Sequence, residues 1–346
     1  MITGAMPPRP AATLYEVAHA VGVSHMTVQR ALSGSPLVKE ATRLRVREAA
    51  DRLGYRPNLT ARAMRTRSAS RVGLLTSTEW RRSHLTIDLL VAMHDTLHRS
   101  GLSLSLMRLS DDELLDRDLL SQQVRAGAGD GLIVAYESHQ PQELADLLEG
   151  LRVPTVWFNV KRDVDCVHAD DLLTGRLAAQ RLLDLGHRRL LYFCQSYDPQ
   201  DPLEHYSAVD RCAGVAEACA VAGAQLMVRR NRVLPPGRSA WAASALRESQ
   251  ATAAVCYSGA AAWELHQAAL AAGRTVPRDL SLVSCDGEWG PYQPLALAAY
   301  TPDSAAMGQH AAELLLAQLA EPGRRQAPRA CPPVISPATA TLAAAQ

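Results

Sequence analysis

Residues 13–32 read TLYEVAHAVGVSHMTVQRAL. Thr13 and Glu16 have the Thr-x-x-Glu spacing of a capping box at a helix start. Leu14, Val17, Ala18 and Val21 recur at helical spacing and make one face apolar. Gly22 stops the helix after two turns. Val23 sits at the corner, and Ser24 offers a hydroxyl to cap a second helix. That helix turns Val28, Ala31 and Leu32 inward and leaves His25, Met26, Gln29 and Arg30 outward. Two short helices joined through a glycine are a helix-turn-helix, whose second helix fits the DNA major groove. A small helical hairpin with no such role is the other reading.

The charge distribution separates the two. Net charge is only +1 over 346 residues. Up to Arg71, however, twelve Lys and Arg face four Asp and Glu, a net of +8 that leaves −7 for the remainder. A basic head on an acidic body places a polyanion partner at one end. Hydrophobic residues at 47% suffice for a sizeable core, and no apolar run reaches membrane-spanning length. The N-terminus has no apolar signal core, so residues 1–12 read as a disordered arm. The seven cysteines form no CxxC pair. They read as buried thiols of a cytoplasmic, nucleoid-associated protein. No P-loop, GxSxG, HExxH or cluster of His and Cys ligands is present, so no cofactor, metal or catalytic residue is expected. His187 lies in a Gly-His-Arg turn and reads as structural.

A third helix is expected to about Leu53, with Leu44, Ala49, Ala50 and Leu53 closing a three-helix core and Gly54 ending it. Pro57 then opens a short helix through Asn58–Thr66, too short to form unless something holds it. From Arg71 onward apolar runs of strand length alternate with helical segments. VGLLTS, LSLSLM, DGLIVAY, VPTVWFN, RLLYFC, ATAAVCYS and DLSLVSCD read as strands. Leu85–Arg99, Asp111–Arg125, a stretch near 141–150, Asp171–Leu185, Tyr206–Ala222 and Ala260–Ala272 read as helices. Such alternation implies parallel sheets covered on both faces. Two α/β units in tandem give two lobes with a cleft, and the strands' carboxyl ends line it. Thr76, Tyr136, Asn159, Ser196, Ser258 and Asp286 fall there. Trp80, Trp157, Trp289 and Tyr292 are stacking candidates, with core packing the alternative. The proline-rich tail reads as one strand and a loose end.

The pattern T-L-x-E-V-A-x-x-V-G-V-S-x-x-T-V-x-R-x-L, followed by Val38, Thr42-Arg43, the Leu53-Gly54-Tyr55-Arg56-Pro57-Asn58 turn and Ala61-Arg62, resembles the LacI family of bacterial transcription regulators. The Asp170-Asp171 turn, Leu185-Gly186-His187-Arg188, Arg211-x-x-Gly214, Val276-Pro277-x-Asp279 and Met307-Gly308 extend the resemblance through the body, which is similar to periplasmic sugar-binding proteins.

The resemblance implies an all-α helix-turn-helix head at 13–56, a hinge helix and linker at 57–70, and an effector-binding and dimerisation body at 71–340, with a tail at 341–346. The first lobe would take about 71–160 and 301–327, the second about 161–300 and 328–340. It implies that His25, Met26 and Arg30 read base edges. Leu14, Tyr15, Ser24, Thr27, Thr42, Tyr55 and Asn58 would grip phosphates and orient the head. Tyr15 and Tyr55 can instead be packing residues. Gln29 replaces a usual serine and can reach a base edge. Lys39 replaces a serine cap and can add a phosphate contact. In the hinge, next to Ala61, Met64 stands where the family wedges a leucine into the minor groove. Arg211 would donate to the effector and Asp286 accept from its hydroxyls; an interlobe ion pair is the alternative. Ser258 departs from the usual Asn or Asp. His84, with Ser83, Arg81 and Arg82, could select a sugar acid.

The expected partners are double-stranded operator DNA, a sugar or sugar-acid effector and a second copy of the chain. The alternative is a sugar-modifying enzyme carrying a DNA-binding head.

Overall fold

The computed structural model describes residues 12–32, 35–55, 70–79, 82–138, 142–198, 200–201, 204–287 and 296–345. The chain divides between residues 69 and 70 into two units. Most of the expected arm and the whole hinge segment, with Asn58, Ala61 and Met64, lie outside the described residues, as do Trp80, Arg81, Trp289 and Tyr292.

The first unit holds α1 (Leu14–Val21), α2 (His25–Leu32) and α3 (Glu40–Leu53). The Thr13–Glu16 box forms reciprocally: Glu16 N–H donates to Thr13 Oγ1 at 3.3 Å and Thr13 N–H to Glu16 Oε2 at 2.6 Å. Gly22 ends α1 at φ 72°, a left-handed conformation that a β-carbon penalises. Val17, Val21, Val28, Ala31, Val38, Val46, Ala49 and Ala50 form the core. Leu44 and Leu53, expected inside, are 50% and 39% exposed. The buried face of α3 is set by Val46, Ala49 and Ala50. Leu44 falls nearly opposite Val46, and Leu53 flares at the last position before Gly54. Lys39 precedes α3 without capping it.

The second unit contains two six-stranded sheets. The first has the order β11-β5-β4-β3-β1-β2, from β1 (Arg71–Ser77), β2 (Ser103–Leu109), β3 (Gly131–Ala135), β4 (Thr155–Phe158), β5 (Cys166–Ala169) and β11 (Arg329–Cys331). The second has the order β12-β10-β9-β8-β6-β7, from β6 (Arg189–Cys194), β7 (Gln225–Arg230), β8 (Ala253–Cys256), β9 (Ser281–Ser284), β10 (Ala298–Pro302) and β12 (Pro333–Ile335). Every pairing is parallel except β10 with β12. The connecting helices are α4 (Ile87–Arg99), α5 (Asp111–Leu115), α6 (Arg117–Gly127), α7 (Gln142–Leu151), α8 (Asp171–Asp184), α9 (Ser207–Val221), α10 (Pro235–Ser249), α11 (Gly259–Ala271) and α12 (Ser304–Ala320). Each sheet is buried on both faces by separate apolar clusters, which explains why its strands read as continuous apolar runs.

The lobes exchange chain later than expected. β5 and β11 belong to the first sheet, so the crossings fall after Ala169, Pro302 and Cys331 rather than near 160, 300 and 327. The single helix expected over Asp111–Arg125 is two. Asp116 is extended and its carboxylate caps α6 through the N–H groups of Asp118 and Leu119 at 3.1 and 3.0 Å. The tail contributes two strands, one to each sheet, and its end is tied. Thr341 is fully buried, donates to Leu282 O at 2.7 Å and accepts from Ala298 N–H at 3.0 Å. His187 explains the rest: its ring, also fully enclosed, bridges Thr252, Ser281 and Ala343 O, joining tail to lobe. β7, overlooked in the sequence because its side chains are only half-buried, completes the second sheet's edge.

Helices α8 and α9 lie unusually close. A β-carbon on Gly175 would stand 2.0 Å from Arg211 O, and one on Gly214 2.0 Å from Leu172 O. Two glycines facing opposite backbones let these helices touch, and the contact fixes where Arg211 emerges.

Candidate functional site

In the head, α2 presents a polar surface whose base is fixed by capping. Ser24 Oγ accepts from Thr27 N–H at 3.1 Å and meets Thr27 Oγ1 at 2.9 Å. His25, Met26 and Arg30 are exposed along one side, with Gln29 and Thr27 half-buried beside them. The ring of Tyr15, 69% exposed, lies 5.1 Å from that of His25 and ties α1 to the reading surface. Leu14 and Tyr55 pack against the three-helix core, so for them packing comes first. Thr42 is half-buried in the first turn of α3. Two head arginines are structural: Arg45 donates to Val21 O at 2.8 Å, and Arg43 donates to Ser35 O and Val38 O while pairing with Glu40. The positive charge available to a polyanion is correspondingly smaller than the composition suggests.

In the body, most of the expected cleft residues have acquired internal partners. Arg211 is buried against Asp171, Nε to Oδ1 2.5 Å, donates from Nη1 to Tyr257 O at 2.8 Å and lies over the Tyr257 ring. Burial is the largest single influence and opposes its charge, but Asp171, with Tyr257, Cys285 and Asp286 behind it, together hold the guanidinium well above its usual range. Both partners stand on α8 and α9 of the same lobe, so the pair is not interlobe. Burial likewise raises the Tyr257 hydroxyl.

Across the cleft Tyr136 is fully buried; its hydroxyl donates to Asp111 and accepts from Arg82 Nη1 at 2.7 Å, while Arg82 also pairs with Asp111. Burial, with the bond to Asp111, pushes the Tyr136 hydroxyl up to about 12. Thr76 is buried and donates to Met107 O at 3.4 Å. Asn159, at φ 56°, is the junction of the lobes. Its Nδ2 donates to Glu137 at 2.9 Å, its Oδ1 accepts from Tyr206 Oη–H at 3.0 Å, and its backbone carbonyl accepts from His205 Nε2–H at 2.8 Å. Lys161 and Asp210 add an ion pair across the same gap.

Ser196 is exposed at the end of β6. Ser258 caps α11, accepting from Ala261 N–H at 3.3 Å. Asp286 is half-buried after β9, its backbone tied to Ser284. His84 donates its N–H to Glu137 at 3.0 Å and lines an open cavity of about 390 Å³ with Thr86, Asp88, Gly287, Thr301 and Asp303. Trp157 belongs to the core, covered by the Arg162 guanidinium at 3.9 Å, and is no stacking platform. All seven cysteines are buried, and burial pushes Cys285 up to about 12.

Sequence reasoning missed Asp171, Asp111, Tyr206 and His205 as parts of this network. The Asp170-Asp171 doublet was a visible signal for the first; a carboxylate at a buried helix start needs a cation. The others come together only through the sheet crossings.

Two family models match the chain: "Bacterial regulatory proteins, lacI family" over residues 13–58 and "Periplasmic binding protein-like domain" over residues 179–337. The chain is 27% identical to the HTH-type transcriptional regulator GalR of Escherichia coli K12 over 282 residues, 80% of this chain and 79% of that protein. The head thus matches the LacI family of bacterial regulators and the body a periplasmic binding protein-like domain. Another relative, the regulator CelR of Thermobifida fusca, is 30% identical over 223 residues, 61% of this chain and 62% of that protein. The lac repressor dimer bound to operator and the anti-inducer ONPF shares the fold, with a TM-score of 0.76 at 23% identity, covering 96% of this chain and 99% of that one. With a LacI-type helix-turn-helix head and a periplasmic-binding-protein-like body of two α/β lobes, the protein is a DNA-binding regulator of transcription.

Proposed function

We propose that the chain acts in the cytoplasm as a homodimeric repressor of a near-palindromic operator, with affinity set by an uncharged sugar held between the lobes. The observation that carries the DNA part is the capped α2 of the head, with His25, Met26 and Arg30 exposed together. Arg30 suits a bidentate contact to guanine, Met26 an apolar contact to a thymine methyl, and Gln29 a base edge. Ser24, Thr27, Thr42 and Tyr15 would meet phosphates. Met64, in the same segment as Asn58 and Ala61, would wedge the minor groove when two hinges pair. Tethering two heads supplies effective concentration that one head lacks.

The sugar reading rests on Ser196, Ser258 and Asp286 following the carboxyl ends of β6, β8 and β9 in the second lobe and on neighbours in fold such as the CelR–cellobiose complex, whose TM-score is 0.63 at 23% identity over 94% of this chain and 98% of that one. The described cleft cations Arg82 and Arg211 each carry a carboxylate partner. That pairing favours a neutral polyhydroxylated ligand over a sugar acid. No turnover of the ligand is expected.

A thermal-shift screen of neutral sugars and sugar acids tests this, with Asp286→Asn as the control. A ligand at a hundredfold its Kd adds about 2.7 kcal/mol of stability. Stabilisation by sugar acids alone, or a response unchanged in the Asp286 variant, overturns the assignment. For DNA, Arg30→Ala should cost about 1–3 kcal/mol and relax one operator position. Met64→Gly should abolish specific binding and leave the sugar response intact.

A further inference from the structure

Two aromatic rings of the head meet although neither helix needs them to fold. Tyr15 is the second residue of α1 and His25 the first of α2. The core takes Val17, Ala18 and Val21 from α1 and Val28 and Ala31 from α2, and neither ring belongs to it. Tyr15 is 69% exposed and His25 is exposed as well. Yet their centroids lie 5.1 Å apart with planes tilted by 37°, inside the range in which aromatic rings attract one another. Among the described residues neither imidazole nitrogen of His25 has a hydrogen-bond partner, nor does the Tyr15 hydroxyl. Both residues stand at positions that the LacI-like pattern leaves open, Tyr15 in T-L-x-E and His25 in S-x-x-T.

The backbone under both rings is fixed. The Thr13–Glu16 box holds the start of α1, and Ser24 with Thr27 holds the start of α2. What stays free is side-chain rotation. A ring laid against one face of the imidazole restricts that rotation and leaves the nitrogen-bearing edge open. The first residues of a recognition helix are the ones that reach base edges in the major groove. A neutral imidazole carries one N–H donor and one acceptor, and guanine presents two acceptors there, N7 and O6.

We propose that Tyr15 is a positioning residue whose ring holds the His25 imidazole edge toward the groove, so that His25 donates to N7 or O6 of a guanine. The inference rests on the DNA reading of the head. Ordering a loose side chain on binding costs affinity, and a side chain already held in place avoids that cost. The Tyr15 hydroxyl stays available to a phosphate. Tyr15→Phe separates the two roles, because it keeps the ring and removes the hydroxyl. Met26 and Arg30 read their own base pairs and do not depend on this contact.

The full-length wild-type chain is used to select its operator from a randomised duplex library. Fluorescence anisotropy then gives Kd for the selected duplex and for every single base-pair change in a half-site. His25→Ala should abolish the preference at one base pair of each half-site, where the wild type selects guanine, and weaken binding about tenfold. With His25 present, Tyr15→Ala should bind the selected duplex about threefold to tenfold more weakly than Tyr15→Phe, with the added loss at that same base pair. In a His25→Ala background the two Tyr15 variants should bind alike, since the ring has nothing left to hold. Both residues lie outside the core, and circular dichroism checks that each variant folds. Equal affinity of Tyr15→Ala and Tyr15→Phe with His25 present overturns the proposal. So does a difference between them that persists without His25, which would mean that the ring meets DNA itself, or a base other than guanine at the position His25 reads. A wild type that selects no sequence overturns the DNA reading instead.

Discussion

The reading head and the sensing body use polar side chains in opposite ways. In the head, most polar groups are used by nearby backbone or left outward: Thr13 and Ser24 cap their own helices, His25 and Arg30 are exposed, and Arg45, which reaches Val21 O, is an exception. In the body, polar groups that line the strand ends turn to distant partners. Arg211 reaches Asp171 forty residues away, and Tyr136 reaches Asp111. A surface built to read DNA keeps its polar side chains at the solvent face, where the double helix supplies partners. A hinged cleft that exists without its ligand must satisfy its own buried charges.

The largest test of this contrast is Asp171→Ala. It strands the Arg211 guanidinium in a site where the pair's side chains are 7% and 1% exposed. Breaking a buried pair by removing one partner costs about 3–5 kcal/mol. Urea unfolding followed on the body should show a loss of that size. A change comparable to a surface substitution would mean that the pair is solvated and that the contrast with the head is false.

Next in size is Thr341→Val. It removes a hydroxyl that serves both Leu282 O and Ala298 N–H inside the second lobe. Leaving buried polar groups unmet costs about 1–3 kcal/mol. Denaturant midpoints measured at constant slope would report it, and equality with the wild type would show that the tail is not a staple.

Thr13→Ala should cost about 1 kcal/mol, the usual worth of an N-cap. The loss should be confined to the head's unfolding and to DNA affinity, with the body's midpoint unmoved. A shift of the body instead would erase the distinction between local and distant pairing.

The smallest effect concerns pH. Burial holds the His205 imidazole below its ordinary 6.5, against the bond it donates to Asn159 O; Asp171 and Asp210 favour its charge and Arg211 opposes it. His187 is lowered by burial too. The unfolded chain therefore takes up protons first. The stability these neutral rings contribute is present above pH 6.5 and is lost as pH falls below it. Melting temperature should fall from about pH 7 to about pH 5, and less steeply in His205→Gln. An identical profile in the variant would remove His205 from the interlobe junction's pH response.

How far each region was legible follows the same division. The head's caps and turn were readable because Thr13 to Glu16 and Ser24 to Thr27 span one helical turn. Its helix-three face was misjudged at Leu44 and Leu53, since three candidate phases of apolar residues overlap in that segment. In the body, β1, β3, β6 and β9 were readable as fully buried apolar runs. β7, half-buried, and the split at Asp116, which depends on a carboxylate choosing to cap the following helix, were not. The lobe boundaries were displaced because β5 and β11 are too short to signal which sheet they join.

By itself the sequence determined the helix-turn-helix, the basic head on an acidic body, the strand–helix alternation and the resemblance to the LacI family, all of which rest on spacing and composition along a few turns of chain. Tertiary structure alone decided that Arg211 belongs to Asp171, that Asn159 joins the lobes, that Thr341 closes the second sheet and that Trp157 is core. Those outcomes require residues tens of positions apart to be brought into contact. Only the three chain crossings and the glycine-to-backbone contact of α8 with α9 do that.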